Sequence, residues 1–173
     1  MAANRNAFWI STQSGGPAFS KSWNVAAGAV GSIAAGSPTT AVDAAAASPY
    51  LGLTQAASDG NGTTSQRFTG IAKSDSTDTA SVAGSVEVWL PFPGIIYSGK
   101  ALTASTADTQ AEVDALSGKR VVFDLTASKW TIDAAAADAV VNCVVIIGGD
   151  YRSQVLDFVY SSKGTVLDFC ISA

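Results

Sequence analysis

The stretch Gly84-Ser85-Val86-Glu87-Val88-Trp89-Leu90-Pro91-Phe92-Pro93-Gly94 constrains the fold more than any other part of this chain. Val86, Val88 and Leu90 alternate with Glu87 and Trp89, which is the two-residue period of a half-buried strand. Pro91 and Pro93 end that strand, because proline has no N–H to donate to a ladder, and an apolar run resumes from Ile95 to Tyr97. The same rhythm recurs along the chain. Arg67 to Lys73 reads as a strand with Phe68, Gly70 and Ala72 on one side and Thr69 and Ile71 on the other. Val121 to Leu125, Val140 to Ile147, Val155 to Tyr160 and Val166 to Ile171 read likewise, and Leu51 and Leu53 open a further strand.

Turn-forming residues separate these runs. Asp59-Gly60-Asn61-Gly62, the Ser74 to Thr79 segment, Gly148-Gly149-Asp150 and Ser161-Ser162-Lys163-Gly164 all read as turns, the last two as hairpin connections. One modest helix is expected over Ser105 to Leu116, capped by Ser105 or Thr106, with Ala107, Ala111 and Ala115 in contact along it and Gly118 closing it. The Ala134 to Ala137 run extends a short helix from Thr131 or Asp133, or lines a close-packed loop. The chain is therefore expected to be mainly β, with one or two short helices.

The first 49 residues differ in texture. They hold Gly15-Gly16-Pro17, the Ala/Gly run from Ala26 to Gly36 and the Ala44 to Ala47 run, and their large apolar side chains stand apart. Two readings fit: an extended N-terminal arm that crosses another surface, or an irregular region folded back on its own domain. In the first, Phe8, Trp9, Phe19 and Trp23 are the anchors, since aromatic rings bury a large area at low entropic cost. The expected division is an arm or extension over residues 1–49 and a β-rich domain over 50–173.

Composition excludes several functions. The chain of 173 residues has 31 alanines, only 14% charged residues and a net charge of -4. Its ten basic residues are scattered, with only Lys119 and Arg120 adjacent, so a phosphate-binding stripe is not built and nucleic acid is a poor partner. The longest apolar run is far too short to span a bilayer, so no membrane partner is expected, and the N-terminus lacks a continuous apolar segment of signal-peptide type. There is no histidine, which removes the usual acid/base group near neutrality and the usual nitrogen ligand for zinc. Cys143 and Cys170 lie in apolar runs and read as buried free thiols rather than as a bridge or a reactive site.

The carboxylates are dispersed. Asp59 with Asn61 reads as a turn rather than a calcium loop, because the further acidic ligands are absent. The repeated Val-Leu-Asp-Phe places Asp157 and Asp168 on the strand face opposite their Leu and Phe neighbours, as solvated groups rather than a catalytic pair. Neither a phosphate loop nor a dinucleotide fingerprint is present. Asn61-Gly62-Thr63 fits the glycosylation pattern, which matters only after secretion. No catalytic residue, metal or cofactor is expected.

Phe68-Thr69-Gly70-Ile71-Ala72, the polar Ser74 to Thr79 turn, Gly84 to Pro91 and Gly94-Ile95-Ile96 together resemble the decoration, or cement, proteins of tailed-bacteriophage capsids. The shared rhythm is a Gly-containing strand, a polar turn, a Val-alternating strand and a Pro/Gly bend. That resemblance implies a compact β-barrel or β-tulip-like domain without catalytic residues. It also implies binding to the outside of the major capsid protein shell, near three-fold positions, as a homo-oligomer for which a trimer is favoured. The protein would be made in the host cytoplasm and end on the outer surface of the virion. Trp89, beside the Pro91 bend, and Tyr97 are the candidates for a subunit-interface rim, with ordinary core packing as the alternative. Other expectations are a capsid fibre base or tail-tube-like subunit, and a carbohydrate-binding β module that uses Trp89, Trp130 and Tyr151 as ring faces.

Overall fold

Alternating apolar positions require a partner surface on one side, and here the strands form two antiparallel sheets that bury them in two cores. The computed structural model describes residues 7–11, 15, 18–27, 33–41, 54–56, 68–92, 94–139, 142 and 144–161. The strands are β1 (Trp9–Ile10), β2 (Ser20–Val25), β3 (Pro38–Ala41), β4 (Thr54–Ala56), β5 (Phe68–Ala72), β6 (Gly84–Trp89) and β7 (Tyr97–Lys100), followed by β8 (Arg120–Thr126), β9 (Lys129–Asp133), β10 (Val144–Asp150) and β11 (Val155–Tyr160). A 3-10 turn (Ala104–Thr106) and one helix, α1 (Gln110–Leu116), lie between β7 and β8. The first sheet has the order β1-β7-β11-β10-β8-β9 and the second β2-β6-β5-β3-β4. The architecture is mainly β: the first sheet curls into a half-barrel, and among the described residues neither sheet closes into a full barrel.

The curl brings distant strands back together. Ala101, just beyond β7, bridges Ile132 in β9, and the Leu102 N–H donates to the Ile132 carbonyl at 2.8 Å. The concave side encloses the larger core, in which Phe8, Phe68, Tyr97, Phe123, Ile132 and Phe158 are buried. The second sheet carries a smaller core of Trp23, Val25, Ile33, Ala72, Val86 and Val88.

Residues 1–49 are woven into both sheets where they are described. Trp9 pairs with Ser98, β2 pairs along its whole length with β6, and β3 lies between β4 and β5. The physical reason is backbone satisfaction: an Ala/Gly-rich segment with few large side chains still has an N–H and a C=O at each residue to pair, and open sheet edges accept them. A free-standing arm is not what these residues form.

Several elements depart from the expected ones. All of β5 is buried, and the expected sides are not kept: Phe68 and Ile71, placed on opposite sides, both enter the larger core, while Ala72, placed with Phe68, enters the smaller. Gly70 permits this, for its φ is +139° and a Cβ there would stand 1.9 Å from the Trp89 carbonyl oxygen. The helix starts later than expected because Thr109, not Ser105 or Thr106, forms the cap: its side chain accepts from the Glu112 N–H, and the Glu112 carboxylate accepts from the Thr109 N–H. Its buried residues are Val113 and Leu116, while Ala111 and Ala115 face outward.

The Ala134 to Ala137 run is a turn, with the Asp133 carboxylate accepting from the Ala135 and Ala136 N–H groups. Gly148-Gly149-Asp150 is the end of β10 and not a turn; the chain reverses over residues 151–154. Val86 and Val88 are buried and Glu87 is partly exposed, as the alternation predicts, and β11 has the expected limits. The Asp59 to Gly62 turn, the Val166 to Ile171 strand, Asp168, Cys143 and Cys170 lie outside the described residues. Among the described residues no helix is long and apolar enough to cross a membrane.

Candidate functional site

Two surface features stand out, and both are placed by the strand register. The first is a corner where β2 begins and β6 ends. Pairing of Ser20 with Trp89 brings the residue before β2 beside the Pro91 bend, and the Leu90 N–H donates to the Phe19 carbonyl at 2.9 Å. The Phe19 ring, 52% exposed, meets the Phe92 ring edge-on with centroids 5.4 Å apart. The corner is held from below by Tyr97, whose hydroxyl donates to the Leu90 carbonyl at 2.9 Å.

Charge surrounds this corner sparingly. Lys73 pairs with Glu87 at 2.7 Å, and its Nζ lies 4.7 Å from the centroid of the Trp89 ring. The Glu87 carboxylate also accepts from the Ser20 hydroxyl at 2.6 Å, and the Lys73 ammonium together with that hydroxyl holds its pKa below the usual carboxylate range.

The second feature is an open hollow of about 270 Å³ on the outer face of the half-barrel, lined by Trp9, Ser11, Ser98, Asp150, Ser153 and Asp157 among others. Cross-strand neighbours share a sheet face, so the register Trp9 to Ser98 and Ser98 to Asp157 lays these three side chains in one transverse row. The alternate positions Phe8, Tyr97, Leu156 and Phe158 point to the core. The Ser98 hydroxyl donates to Asp157, and the Ser153 hydroxyl donates to Asp150 at 2.7 Å. That hydroxyl, with the Arg152 N–H, holds the Asp150 carboxyl below its ordinary range. Asp157 does lie on the face opposite Leu156 and Phe158, as the alternation predicts.

The residues singled out from the sequence separate into different roles. Phe8 is 3% exposed within the larger core and Trp23 is 4% exposed within the smaller, so neither reaches a partner's pocket without leaving its own. Phe19 is accessible, and Trp9 is half-buried on the wall of the hollow. Tyr97 is fully buried, which removes it from a subunit rim, while Trp89 packs partly against the larger core beneath Lys73. Trp130 is buried as well, so Trp89, Trp130 and Tyr151 do not present three ring faces. Sequence reasoning missed the Ser98, Asp150 and Ser153 grouping; the β1–β7–β11 pairing brings Ser98 beside Trp9 and the β10–β11 hairpin carries Asp150 and Ser153 to it, neither of which spacing along the chain signals.

Among the described residues no three His, Cys, Asp or Glu side chains gather so as to hold a metal ion. The chain matches no protein-family model, and no curated protein matches it.

Proposed function

We propose that this chain is a non-enzymatic structural protein of a virion, an external capsid decoration protein that binds the major capsid protein shell and bridges neighbouring capsomers. The observation that carries this reading is the exposed Phe19–Phe92 corner, because it sits on the Gly84 to Pro91 strand and bend whose residues carry the family resemblance. A pair of rings fixed on a sheet end offers a large apolar contact that loses little freedom on docking. Under this reading the half-barrel and the second sheet form the barrel-like or tulip-like body of the subunit. Subunits assemble as homo-oligomers, with a trimer favoured, on the outer surface of the shell. Several modest contacts then act together, since the lattice presents binding sites at high local density.

The test is co-sedimentation with tail-free capsids. Removing residues 1–49 would take β1, β2 and β3 out of both sheets, so point substitutions are the informative change. The full chain is expected to sediment with capsids, and the double variant Phe19→Ala/Phe92→Ala to lose about tenfold or more in affinity while keeping its amide spectrum. Recovery with tails alone would favour a tail component instead, and no sedimentation of the intact chain with cognate capsids sinks the reading.

A further inference from the structure

We infer that the hollow on the outer face of the half-barrel is a carbohydrate subsite, in which Trp9 offers a ring wall and Asp150 and Asp157 accept hydrogen bonds from sugar hydroxyls. This inference is independent of the capsid reading, since it concerns the first sheet and not the aromatic corner.

A sugar has an apolar C–H face and a rim of hydroxyls, and it needs a ring beside fixed acceptors. Trp9, Ser98 and Asp157 supply these in one transverse row across β1, β7 and β11. The row continues to Gly148 of β10, paired with Asp157, where an added Cβ would meet no atom of the described residues within 4 Å, so there is room beside Asp157. The hollow of about 270 Å³ is of monosaccharide size and is closed at one end by the Tyr151 to Gln154 reversal that carries Ser153.

The acceptors are preorganised. Asp157 takes one hydrogen bond from Ser98, a residue almost fully buried, and Asp150 takes one from Ser153 and one from the Arg152 N–H at 3.1 Å. A carboxylate has about four lone-pair sites, so each is oriented by the protein and still has acceptor capacity for a ligand hydroxyl. Such charge-assisted bonds are the stronger kind. A phosphorylated ligand is disfavoured, because the Asp150 and Asp157 carboxylates would face it and the neighbouring cations are engaged, Lys100 donating to the Ser153 carbonyl at 3.1 Å and Arg152 to the Tyr151 hydroxyl at 3.2 Å. A site with one ring wall and open to solvent binds a single sugar weakly, in the millimolar range.

The experiment is a titration of the full-length, isotope-labelled protein, followed by its amide and indole N–H resonances. The probes are glucose, galactose, mannose and N-acetylglucosamine, then their short oligosaccharides and a vesicle-free cell-wall polysaccharide, which separates a free sugar from a surface glycan as the source. The expected result is saturable shifts of the Trp9 indole, Gly149 and Ser153 signals with at least one probe. Asp157→Asn, which preserves shape, is expected to weaken binding about tenfold. Gly148→Leu, which adds bulk where the fold has room, is expected to abolish it, and Phe19→Ala to leave it unchanged.

Absence of saturable shifts with every probe overturns the inference. So does binding that survives both Asp157→Asn and Gly148→Leu in variants with intact spectra. Calcium chloride alone producing the same shifts, with sugars producing none, reassigns the hollow to a cation and also overturns it.

Discussion

The two cores of this protein are held together by different means. In the larger one, rings touch rings: Phe8 and Phe123 are 4.6 Å apart between centroids, Phe68 and Phe123 5.6 Å, and Phe123 and Phe158 5.5 Å. Each such pair is worth about 0.5–1.5 kcal/mol beyond the area it buries. The smaller core has one indole among Val, Ile and Ala side chains, and its surroundings leave the Trp23 indole N–H, the Ser76 hydroxyl and both Asp78 carboxylate oxygens buried without a hydrogen-bond partner. A buried group left unpaired costs about 1–3 kcal/mol. The half-barrel is thus the rigid body of the molecule, and the second sheet is the part expected to open first.

The largest effect is expected where the two regions meet. Gly70→Val puts a side chain onto the Trp89 backbone at a φ of +139°, so β5 cannot keep its place against β6. A loss of more than about 4 kcal/mol in a denaturant titration is expected. A midpoint within experimental scatter of the parent would show that the junction has slack. Phe123→Ala removes the ring at the centre of the larger core and is expected to cost about 3–5 kcal/mol. The same experiment sharpens the comparison if hydrogen exchange is measured alongside: amides of β8, β10 and β11 should lose protection, while those of β2 and β6, expected to exchange faster in the parent, should change less.

The smallest effect concerns the tyrosine that joins the regions. Tyr97 lies in the larger core while its hydroxyl holds the Leu90 carbonyl beyond β6, and burial pushes that hydroxyl well above the usual tyrosine range. The unfolded chain loses this proton near pH 10 and the folded chain keeps it, so the stability present below that pH is lost as pH rises through the folded value. The slope contributed is at most about 1.4 kcal/mol per pH unit above about pH 10. Urea midpoints at about pH 9 and about pH 11 check it, with Tyr97→Phe expected to flatten the alkaline decline. An unchanged decline in that variant would mean that other groups carry it.

Much of the central scaffold was legible in the sequence. The alternation at Val86 and Val88, the stop at Pro91, the strand from Val155 to Tyr160 and the outward side of Asp157 all follow from period two and from proline chemistry. Less legible was β9, because the β8–β9 hairpin turns through Ala127 and Ser128 at φ of 50° and 61°, a conformation that Asn-Gly signals and Ala-Ser does not. The N-terminal strands were unread for a different reason: Trp23, Val25, Thr39 and Thr40 are strand formers, but they stand in short segments between Ala/Gly runs, and it is pairing with β6 and β5 that holds them as strands.

By itself, then, the sequence determined that this is a β protein with strands of alternating apolar residues and without histidine, since side-chain alternation and residue type are local properties. The tertiary structure alone decided which aromatics face inward and which outward. Phe8 enters the core because Gly99 leaves a space there, a Cβ at that position standing only 2.3 Å from the ring, while its neighbour Trp9 turns to the hollow with Ser98 and Asp157. That choice depends on register between strands far apart in the chain, and register is fixed only when the sheets form.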